Sequence, residues 1–262
     1  TPLLIQSLTD GSIHINVETW SDNMPTYVDD IAAGNYVEVG VNFSDNYQGI
    51  YVPKYLSDEY GITDITDLVD NKALFPDPEI TNWDPEVHKA VVYGGPSGWN
   101  VTTFFATKFE NADLYPGLAE HFEFRPLESS ALLDASLMDA YENEEGWAGY
   151  NWEPTTIMGL LDMVRLEDTI PYDAATGAGN MPTNNVTVVV TGSFEEDYPE
   201  LADFLSNYNT SAAVASAALA YMAENDMSAA ETAEWWLAEN VSMWETWVTE
   251  DAKADILSAL GL

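Results

Sequence analysis

Three tryptophans of this sequence stand among polar residues instead of on a periodic apolar face. They are Trp20 in VETWSDN, Trp99 in GGPSGWN and Trp152 in GYNWEPTT. The face of an indole ring attracts cations, and it suits a quaternary ammonium group, which has no N–H to donate. If the rings converge, they form an aromatic cage for a cationic ligand. The alternative, which the residues leave open, is that each ring is an ordinary core or surface residue, because tryptophan is commonly buried.

Each of these rings follows a run of residues that is typical of a β-strand. The alternating run SIHINVET predicts a strand with Ile13, Ile15 and Val17 on one face and Trp20 at its carboxyl end. AVVYGG precedes Trp99, and GWAGYNW contains Trp152. After it, PTTIMGLLDMV predicts a helix with Pro154 in its first turn. In open α/β sheets, the carboxyl ends of strands are where ligands bind.

The order of strands and helices predicts the fold class and the domains. Strands alternate with helical patterns of roughly 10–15 residues, which indicates an α/β protein with largely parallel sheets. Two sheet regions separated by loops predict two lobes, one of residues 1–49 with 186–262 and one of residues 50–185. The tail carries further tryptophans at helical spacing, and we interpret them as packing residues. These are Trp235, Trp236, Trp244 and Trp247.

The charge balance excludes several classes of partner. Asp and Glu number 45 against 7 Lys and Arg, which gives a formal net charge of −38. Nucleic-acid binding along phosphates needs basic residues, so we predict no nucleic-acid partner. Anionic membrane surfaces are disfavoured for the same reason. The acids are dispersed, which indicates a solvated negative shell over a folded body. A high-salt origin explains such a shell best, and an acidic environment is the weaker alternative.

Catalytic and metal-binding motifs are missing from the sequence. There is no cysteine, hence no disulfide or thiolate site. The acidic segment 76–88 has carboxylates for a divalent cation, but its spacing differs from an EF-hand, and we interpret it as a solvated loop. A hydrolase would draw on His14, His88 or His121 and on carboxylates, yet no hydrolase motif surrounds them. We therefore predict no catalytic residue, no cofactor and no metal site.

The chain resembles the substrate-binding proteins of ABC importers for glycine betaine and related quaternary amines. The segments that carry the resemblance are, in order, TPLLIQSLTDGSIHINVETWSDN, QGIYVPKY, GGPSGWN, GYNWEPTTIMGLLDMV and AEWWLAENVSMWETWV. They extend over essentially the whole chain, and GYNWEPTTIMG and PSGWN are the most specific. The resemblance implies a two-lobed, periplasmic-binding-protein-like α/β fold of type II with a ligand cleft between the lobes. It also implies a methylated ammonium ligand and a membrane permease as partner.

The resemblance implies a set of ligand-binding residues. The cage would consist of Trp20, Trp99 and Trp152, with Glu18 and Tyr150 beside two of these rings and Tyr51 at the first crossover between the lobes. Backbone N–H groups after Gly98 or Pro154 would bind a ligand carboxylate. Glu18 and Glu153 in the cage would instead favour a cation without its own acid, such as choline; the alternative is that both are solvated residues at strand ends. The residues leave open which methylated amine is bound.

We thus predict an extracytoplasmic solute-binding component of an ABC importer that captures glycine betaine, choline, trimethylamine N-oxide or a similar osmolyte. Members of the resembled family begin with a strand and a helix before the equivalent of TPLLIQSL, so we expect the first lobe to lack an opening segment here. A lipid or membrane anchor is a further expectation for the full-length form. The alternatives are a receptor of the same fold for a sugar or peptide, and a hydrolase using carboxylates.

Overall fold

The structure is a computed structural model that describes residues 2–24 and 26–262. The chain divides into two compact units, of which the first comprises Thr1–Asn46 and Thr183–Leu262 and the second Tyr47–Pro182. The chain passes between the units after residues 46 and 182, whereas the sequence predicted passages after residues 49 and 185. Within the residues that the structure describes, each unit contains one β-sheet.

The elements of the described residues follow in chain order. The strands are β1 (Ile15–Trp20), β2 (Tyr36–Phe43), β3 (Gln48–Pro53), β4 (Ala90–Gly94), β5 (Phe122–Pro126), β6 (Gly149–Trp152), β7 (Met163–Arg165) and β8 (Val186–Thr191). The helices are α1 (Pro2–Thr9), α2 (Tyr27–Ala32), α3 (Lys54–Tyr60), α4 (Asp67–Asp70), α5 (Asn100–Glu110), α6 (Pro116–His121), α7 (Ser130–Glu142), α8 (Thr156–Leu160), α9 (Phe194–Asp197), α10 (Pro199–Asn207), α11 (Ala212–Glu224), α12 (Ala229–Glu239), α13 (Val241–Trp244) and α14 (Glu250–Leu260).

The sheet of the first unit has the strand order β1-β8-β2. Its central strand is VTVVVT, the most β-branched run of the chain, and every residue of it is buried. β-Branched side chains pack well in a strand covered on both faces, so this composition suits the central strand. Both partners of β8 are antiparallel to it. The prediction of largely parallel sheets is therefore wrong for this unit.

Strand β1 does not keep the predicted alternation of faces. The register between β1 and β8 shifts between Asn16 and Thr19, which indicates a β-bulge. A bulge inserts an extra residue and so changes the face of the residues after it. Thr19 is buried as a result, while Val17 is exposed. The sequence placed Trp20 at the carboxyl end of this strand, and this is confirmed.

The sheet of the second unit has the order β5-β4-β6-β3-β7. Strand β4 is parallel to β5 and β6, whereas β3 is antiparallel to β6 and β7. The prediction of largely parallel sheets is thus wrong here for β3 and β7. A parallel pair needs a long crossover, usually a helix, and the alternation of predicted elements suggested one after every strand. Order along the chain does not determine which strands become neighbours.

The segment after Trp152 departs from its predicted helix at both ends. Helix α8 begins after Thr155, whose hydroxyl accepts a hydrogen bond from the Met158 amide, so Pro154 precedes the helix and is not in its first turn. The helix ends at Leu160, and Met163–Arg165 forms strand β7 beside β3. Pairing with β3 satisfies the backbone groups that a longer helix would have satisfied internally.

The tail tryptophans serve packing, as the sequence predicted. Trp244 and Trp247 are buried, and Trp236 stacks on Trp247 with ring centroids 5.8 Å apart. Trp235 stacks on Tyr221 with centroids 3.7 Å apart, which joins α12 to α11. Among the described residues, no helix combines the length and the apolarity that crossing a membrane requires.

Candidate ligand-binding site

Three aromatic rings of the second unit form a contact cluster: Trp99, Tyr150 and Trp152, which we call the aromatic cluster. Tyr150 and Trp152 stack with centroids 5.7 Å apart and an interplanar angle of 21°. Trp99 stands nearly perpendicular to both, with centroids 5.5 Å from Trp152 and 6.5 Å from Tyr150. Two of the predicted cage tryptophans and the predicted flanking tyrosine are therefore brought together.

Strand β6 positions the two stacked rings. Residues two apart in a strand lie on the same face, so Tyr150 and Trp152 project from one side of the sheet. Opposite them in β3 lie Ile50 and Gln48, in register with Tyr150 and Trp152 respectively. The Tyr150 hydroxyl donates a hydrogen bond of 3.2 Å to Oε1 of Gln48. Burial raises the pKa of Tyr150, so its hydroxyl stays neutral. The buried Tyr150 ring supports the more exposed indole rings.

The turn between β4 and α5 positions Trp99. Trp99 is the N-cap residue of α5, and its amide donates to the carbonyl of Pro96 at 3.2 Å. Gly98 has φ of 93°, a conformation that glycine adopts without strain. A Cβ atom at Gly95 would lie 3.2 Å from both the Trp99 and Tyr150 rings, so the absence of a side chain there permits the cluster to close. Trp99 keeps 38% of its surface exposed.

The first turn of α5 contains backbone N–H donors that directly follow Trp99 in the chain. The amides of Thr102 and Thr103 donate to the Trp99 carbonyl at 3.1 and 3.3 Å. Within residues 2–24 and 26–262, the amides of Asn100 and Val101 have no backbone acceptor. The N-terminus of an α-helix attracts anions through such free N–H groups and the helix dipole. At α8, the other predicted helix start, the hydroxyl of Thr155 already caps the helix.

This arrangement can bind two kinds of charge a short distance apart. The Trp99 and Trp152 ring planes meet at 75°, and both residues retain exposed surface. Indole faces bind a weakly hydrated cation such as a methylated ammonium. The free amides of α5 directly follow Trp99 and can bind a carboxylate. A zwitterion with both groups matches the two features together.

Tyr51 and Glu153 lie on the other face of the same sheet. Tyr51 is in register with Gly149 and is almost fully buried, so its ring is separated from the aromatic cluster by the strands. Its hydroxyl donates a hydrogen bond of 3.0 Å to Oε1 of Glu153. Burial first, and then the Glu153 carboxylate, raises the pKa of Tyr51. The structure therefore places Tyr51 and Trp152 on opposite faces of the sheet.

Trp20 and Glu18 belong to the first unit. The Trp20 ring packs edge-on against Phe43 with centroids 6.1 Å apart, and it also packs against Val186 and Ala212. Its Nε1 donates to Oε1 of Glu18 at 3.0 Å, which directs this exposed carboxylate to the edge of the indole. That Trp20 joins Trp99 and Trp152 in one cage stays a prediction, because these residues are in different units.

Sequence reasoning missed two contributors to this site, although it named the backbone N–H groups after Gly98 as donors. Gln48 supports Tyr150, and Gly95 permits the rings to approach. The glycines of GGPSG were the only available signal, since a run of this kind indicates a tight backbone path. A glutamine hydrogen bond across a sheet requires knowledge of the strand register, which the sequence did not provide.

The acidic segment 76–88 is not fully solvated, because the Arg125 side chain anchors it. Both carboxylate oxygens of Asp77 accept hydrogen bonds from the Arg125 guanidinium, at 2.8 and 2.6 Å. Asp77 is buried, which corrects the interpretation of the whole segment as a solvated loop. In the described part of the chain, no group of three or more His, Cys, Asp or Glu residues has the geometry to hold a metal ion.

A separate cavity of about 390 Å³ lies in the first unit. It is lined by the end of α1, by the turn before β2 and by the residues that follow β8, with Asp10, His14 and Asp197 among its polar residues. None of the predicted ligand-binding residues lines it. An ammonium ligand needs exposed ring faces more than volume, so we assign the candidate site to the aromatic cluster.

Comparison with solved structures identifies the fold. A glycine betaine, L-proline ABC transporter binding protein (ProX) from Borrelia burgdorferi is 20% identical, with a TM-score of 0.64 over 98% of this chain and 86% of that chain. Lactococcal OpuAC in complex with glycine betaine is 17% identical, with a TM-score of 0.63 over 94% and 84%. A choline-binding protein of an ABC transporter, in complex with choline, is 19% identical, with a TM-score of 0.65 over 99% and 85%. The fold is thus the two-lobed type II fold of periplasmic binding proteins.

Comparison by sequence identifies the family. No curated protein sequence matches the chain. Residues 1–239 match the family described as the substrate-binding domain of ABC-type glycine betaine transport systems. This match covers most of the 262 residues and includes the whole aromatic cluster. The chain therefore belongs to the family of substrate-binding domains of ABC-type glycine betaine transport systems.

Proposed function

We propose that this protein binds a small methylated ammonium osmolyte on the aromatic cluster, and that glycine betaine is its best ligand. The trimethylammonium group contacts the exposed surfaces of Trp99 and Trp152. The carboxylate accepts hydrogen bonds from the amides of Asn100 and Val101. Trp20, with Glu18, is proposed as a further contributor from the first unit.

One observation carries this proposal: Trp99 is at once a member of the aromatic cluster and the N-cap of α5. The residue that offers a ring face to the cation is therefore followed directly in the chain by the free amides of Asn100 and Val101. Two rings contribute roughly 1–4 kcal/mol by cation–π attraction. Micromolar binding needs about 8 kcal/mol, so methyl burial and the hydrogen bonds to the carboxylate supply the remainder.

Membership of the family sets the physiological context. Its members are solute-binding components of ABC importers, which act in the periplasm or outside the cell and work with a membrane permease. It is a family of transport proteins and not of enzymes. We propose that this protein has no catalytic step, and that ligand binding shifts its population towards the form that the permease receives. A lipid or membrane anchor is part of the same proposal.

Choline is the second candidate, favoured by the position of Glu18. This carboxylate accepts a hydrogen bond from the Trp20 indole and is exposed. A carboxylate beside a cage ring attracts a ligand that is purely cationic and repels one that carries its own carboxylate. If Trp20 takes part in binding, Glu18 favours choline over glycine betaine.

Isothermal titration at roughly molar salt tests the proposed function. Glycine betaine, choline, trimethylamine N-oxide and maltose are titrated separately into the folded protein. We expect saturable binding of glycine betaine with a dissociation constant in the micromolar range and no heat from maltose. Heat from maltose alone would mean a sugar receptor of the same fold. Stronger binding of choline than of betaine would mean that Glu18, and not the α5 amides, determines the ligand preference.

A further inference from the structure

A buried lysine stands about 12 Å along α5 from the free amides, given the rise of 1.5 Å per helical residue. Lys108 is 1% exposed. The chain has only 7 Lys and Arg against 45 Asp and Glu, and a buried lysine does not offset charge at the surface. Burial of a charged group is costly unless it is paired and hydrogen-bonded. This residue is therefore placed for a reason other than solubility.

The ammonium of Lys108 is held by partners from one segment. This segment, residues 168–182, is the irregular chain that ends the second unit, and we call it the return segment. Lys108 Nζ forms an ion pair with Oδ2 of Asp168 and donates to the Gly179 carbonyl at 2.9 Å. The rings of Phe104, Phe105 and Tyr115 surround it at 5.1–5.8 Å. The ammonium thus has two hydrogen-bond acceptors and three aromatic rings around it.

Tyr115 completes the same network from the start of α6. Its hydroxyl donates to Oδ2 of Asp168 at 2.6 Å and accepts from the Gly179 amide at 3.1 Å. Oδ1 of Asp168 accepts from the Ile170 amide at 3.0 Å. The buried carboxylate is therefore satisfied on both oxygens, and the network connects α5, α6 and the return segment.

Further contacts hold the return segment along α5. Asn111 donates to the Thr176 carbonyl at 3.0 Å, and Tyr172 stacks on Phe104 with centroids 5.7 Å apart. Gly177 has φ of 71°, and a Cβ atom there would lie 2.5 Å from the Lys108 amide nitrogen. The backbones therefore touch at this point, with no space for a side chain.

We propose that Lys108 is a positioning residue for the ligand. Bound to Asp168 and Gly179, it fixes α5 along its axis, and so holds Trp99 and the amides of Asn100 and Val101 where the ligand requires them. The inference rests on the proposed function. The hydrophobic attraction that packs Phe104, Phe105 and Phe109 is not directional, whereas a charge-assisted hydrogen bond has a defined geometry. Lys108 itself is too far from the amides to touch the ligand.

The test combines a measurement without ligand and one with two ligands. Lys108→Met keeps the apolar stem and removes the charge, while Leu137→Ala, in the core of the same unit, is the control for a general loss of stability. For Lys108→Met we expect faster amide hydrogen exchange over residues 100–107 than for the control at equal stability. We also expect glycine betaine affinity to fall at least tenfold and tetramethylammonium affinity to fall about threefold. Loss of stability alone would change both affinities by the same factor.

The outcomes distinguish this inference from the proposed function. If residues 100–107 exchange as in the control, or if the ratio of the two affinities equals that of the unaltered protein, Lys108 has no positioning role. If the unaltered protein binds neither ammonium compound, the proposed function fails and the inference fails with it, whereas the exchange measurement still shows whether Lys108 fixes the first turns of α5. If Lys108→Met does not fold, Tyr115→Phe replaces it, because this variant loses only the hydroxyl's bonds to Asp168 and Gly179. We expect the same changes from it, smaller in size.

Discussion

At the scale of residues, Trp99 and Trp152 have different tasks within one cluster. Trp99 is fixed by the turn before α5 and is followed by the free amides. Trp152 is fixed by strand β6 and stacks on Tyr150, whose hydroxyl is anchored to Gln48. Loss of Trp152 therefore removes a ring face and leaves the donors in place, whereas a change at Trp99 alters both.

Replacement of Trp152 by alanine should weaken ammonium binding more than tenfold, because a desolvated indole contributes up to about 2 kcal/mol of cation–π attraction in addition to the methyl contacts. Titration calorimetry with glycine betaine measures the change. Trp83→Ala is the control, since Trp83 is in the acidic segment and donates to the Lys89 carbonyl outside the cluster. Equal affinities for Trp152→Ala and the unaltered protein would remove Trp152 from the site.

The Asp77–Arg125 pair provides a prediction on pH. Hydrogen bonds from Arg125 hold the pKa of Asp77 below its ordinary value of 3.8. A depressed pKa in the folded state stabilises the protein above pH 3.8, and this stabilisation is lost as the pH falls through the lower, folded value. Asp77→Asn should therefore lower the free energy of unfolding by about 2 kcal/mol at pH 7, and by progressively less below pH 4.

Urea denaturation of both proteins across this pH range at high salt measures the difference. Glu79→Gln is the control, because Glu79 is exposed and stands 3.7 Å from Arg125. A difference between Asp77→Asn and the unaltered protein that is as large at pH 3 as at pH 7 would contradict the assignment.

At the scale of elements, the turn of residues 95–98 sets the geometry of the site. It connects β4 to α5, and both Trp99 and Thr102 are bonded to the Pro96 carbonyl. The turn passes so close to the aromatic cluster that a methyl group at Gly95 would press on two rings. Small backbone changes here should therefore affect binding before they affect folding.

We expect Gly95→Ala to weaken glycine betaine binding by about three- to tenfold, while the melting temperature changes little. The added Cβ would be 3.2 Å from Trp99 and Tyr150, so the rings must shift by a few tenths of an ångström. Gly192→Ala in the first unit, with its Cβ 3.2 Å from the Gly34 carbonyl, is a matched control. An affinity unaffected by Gly95→Ala would show that the ligand does not depend on this ring geometry.

The sequence predicted the local features of these elements better than it predicted which strands pair with each other. Trp20 was predicted as the end of a strand, because side-chain type and alternation are local signals. The antiparallel pairing of β3 and the strand at Met163–Arg165 were not predictable, since both depend on which strands become neighbours. Tyr51 was a candidate ligand residue because the resemblance placed it at the first crossover between the lobes. Only the strand register shows that its ring lies on the face of the sheet opposite the aromatic cluster.

At the scale of the whole molecule, the net charge of −38 dominates the behaviour in solution. Most acids have no basic partner within the described residues, where the ion pairs involve only five basic side chains: Lys54, Lys108, Arg125, Arg165 and Lys253. Mutual repulsion of so many carboxylates opposes the compact state at low ionic strength. Salt shortens the range of this repulsion, from about 10 Å at 0.1 M to about 3 Å at 1 M.

The melting temperature should therefore rise by at least ~5 °C when KCl is raised from about 0.1 M to about 1 M, which corresponds to a stabilisation of roughly 2 kcal/mol for a domain of this size. Differential scanning calorimetry measures it. Sucrose at equal osmolality is the control, because it leaves the electrostatic repulsion unscreened. The same increase in sucrose and in KCl would show that repulsion between the acids is not what limits stability.

The most direct test of the account is an NMR measurement of where the ligand's methyl groups lie. Protein with labelled indole rings is saturated with glycine betaine at high salt, and nuclear Overhauser effects from the N-methyl protons are recorded. The chain has 9 tryptophans, so the rings that receive the effect identify the site. The account predicts contacts to Trp99 and Trp152 and none to Trp235, Trp236, Trp244 or Trp247. Methyl contacts to the tail tryptophans alone, or no contact with any indole, would contradict it.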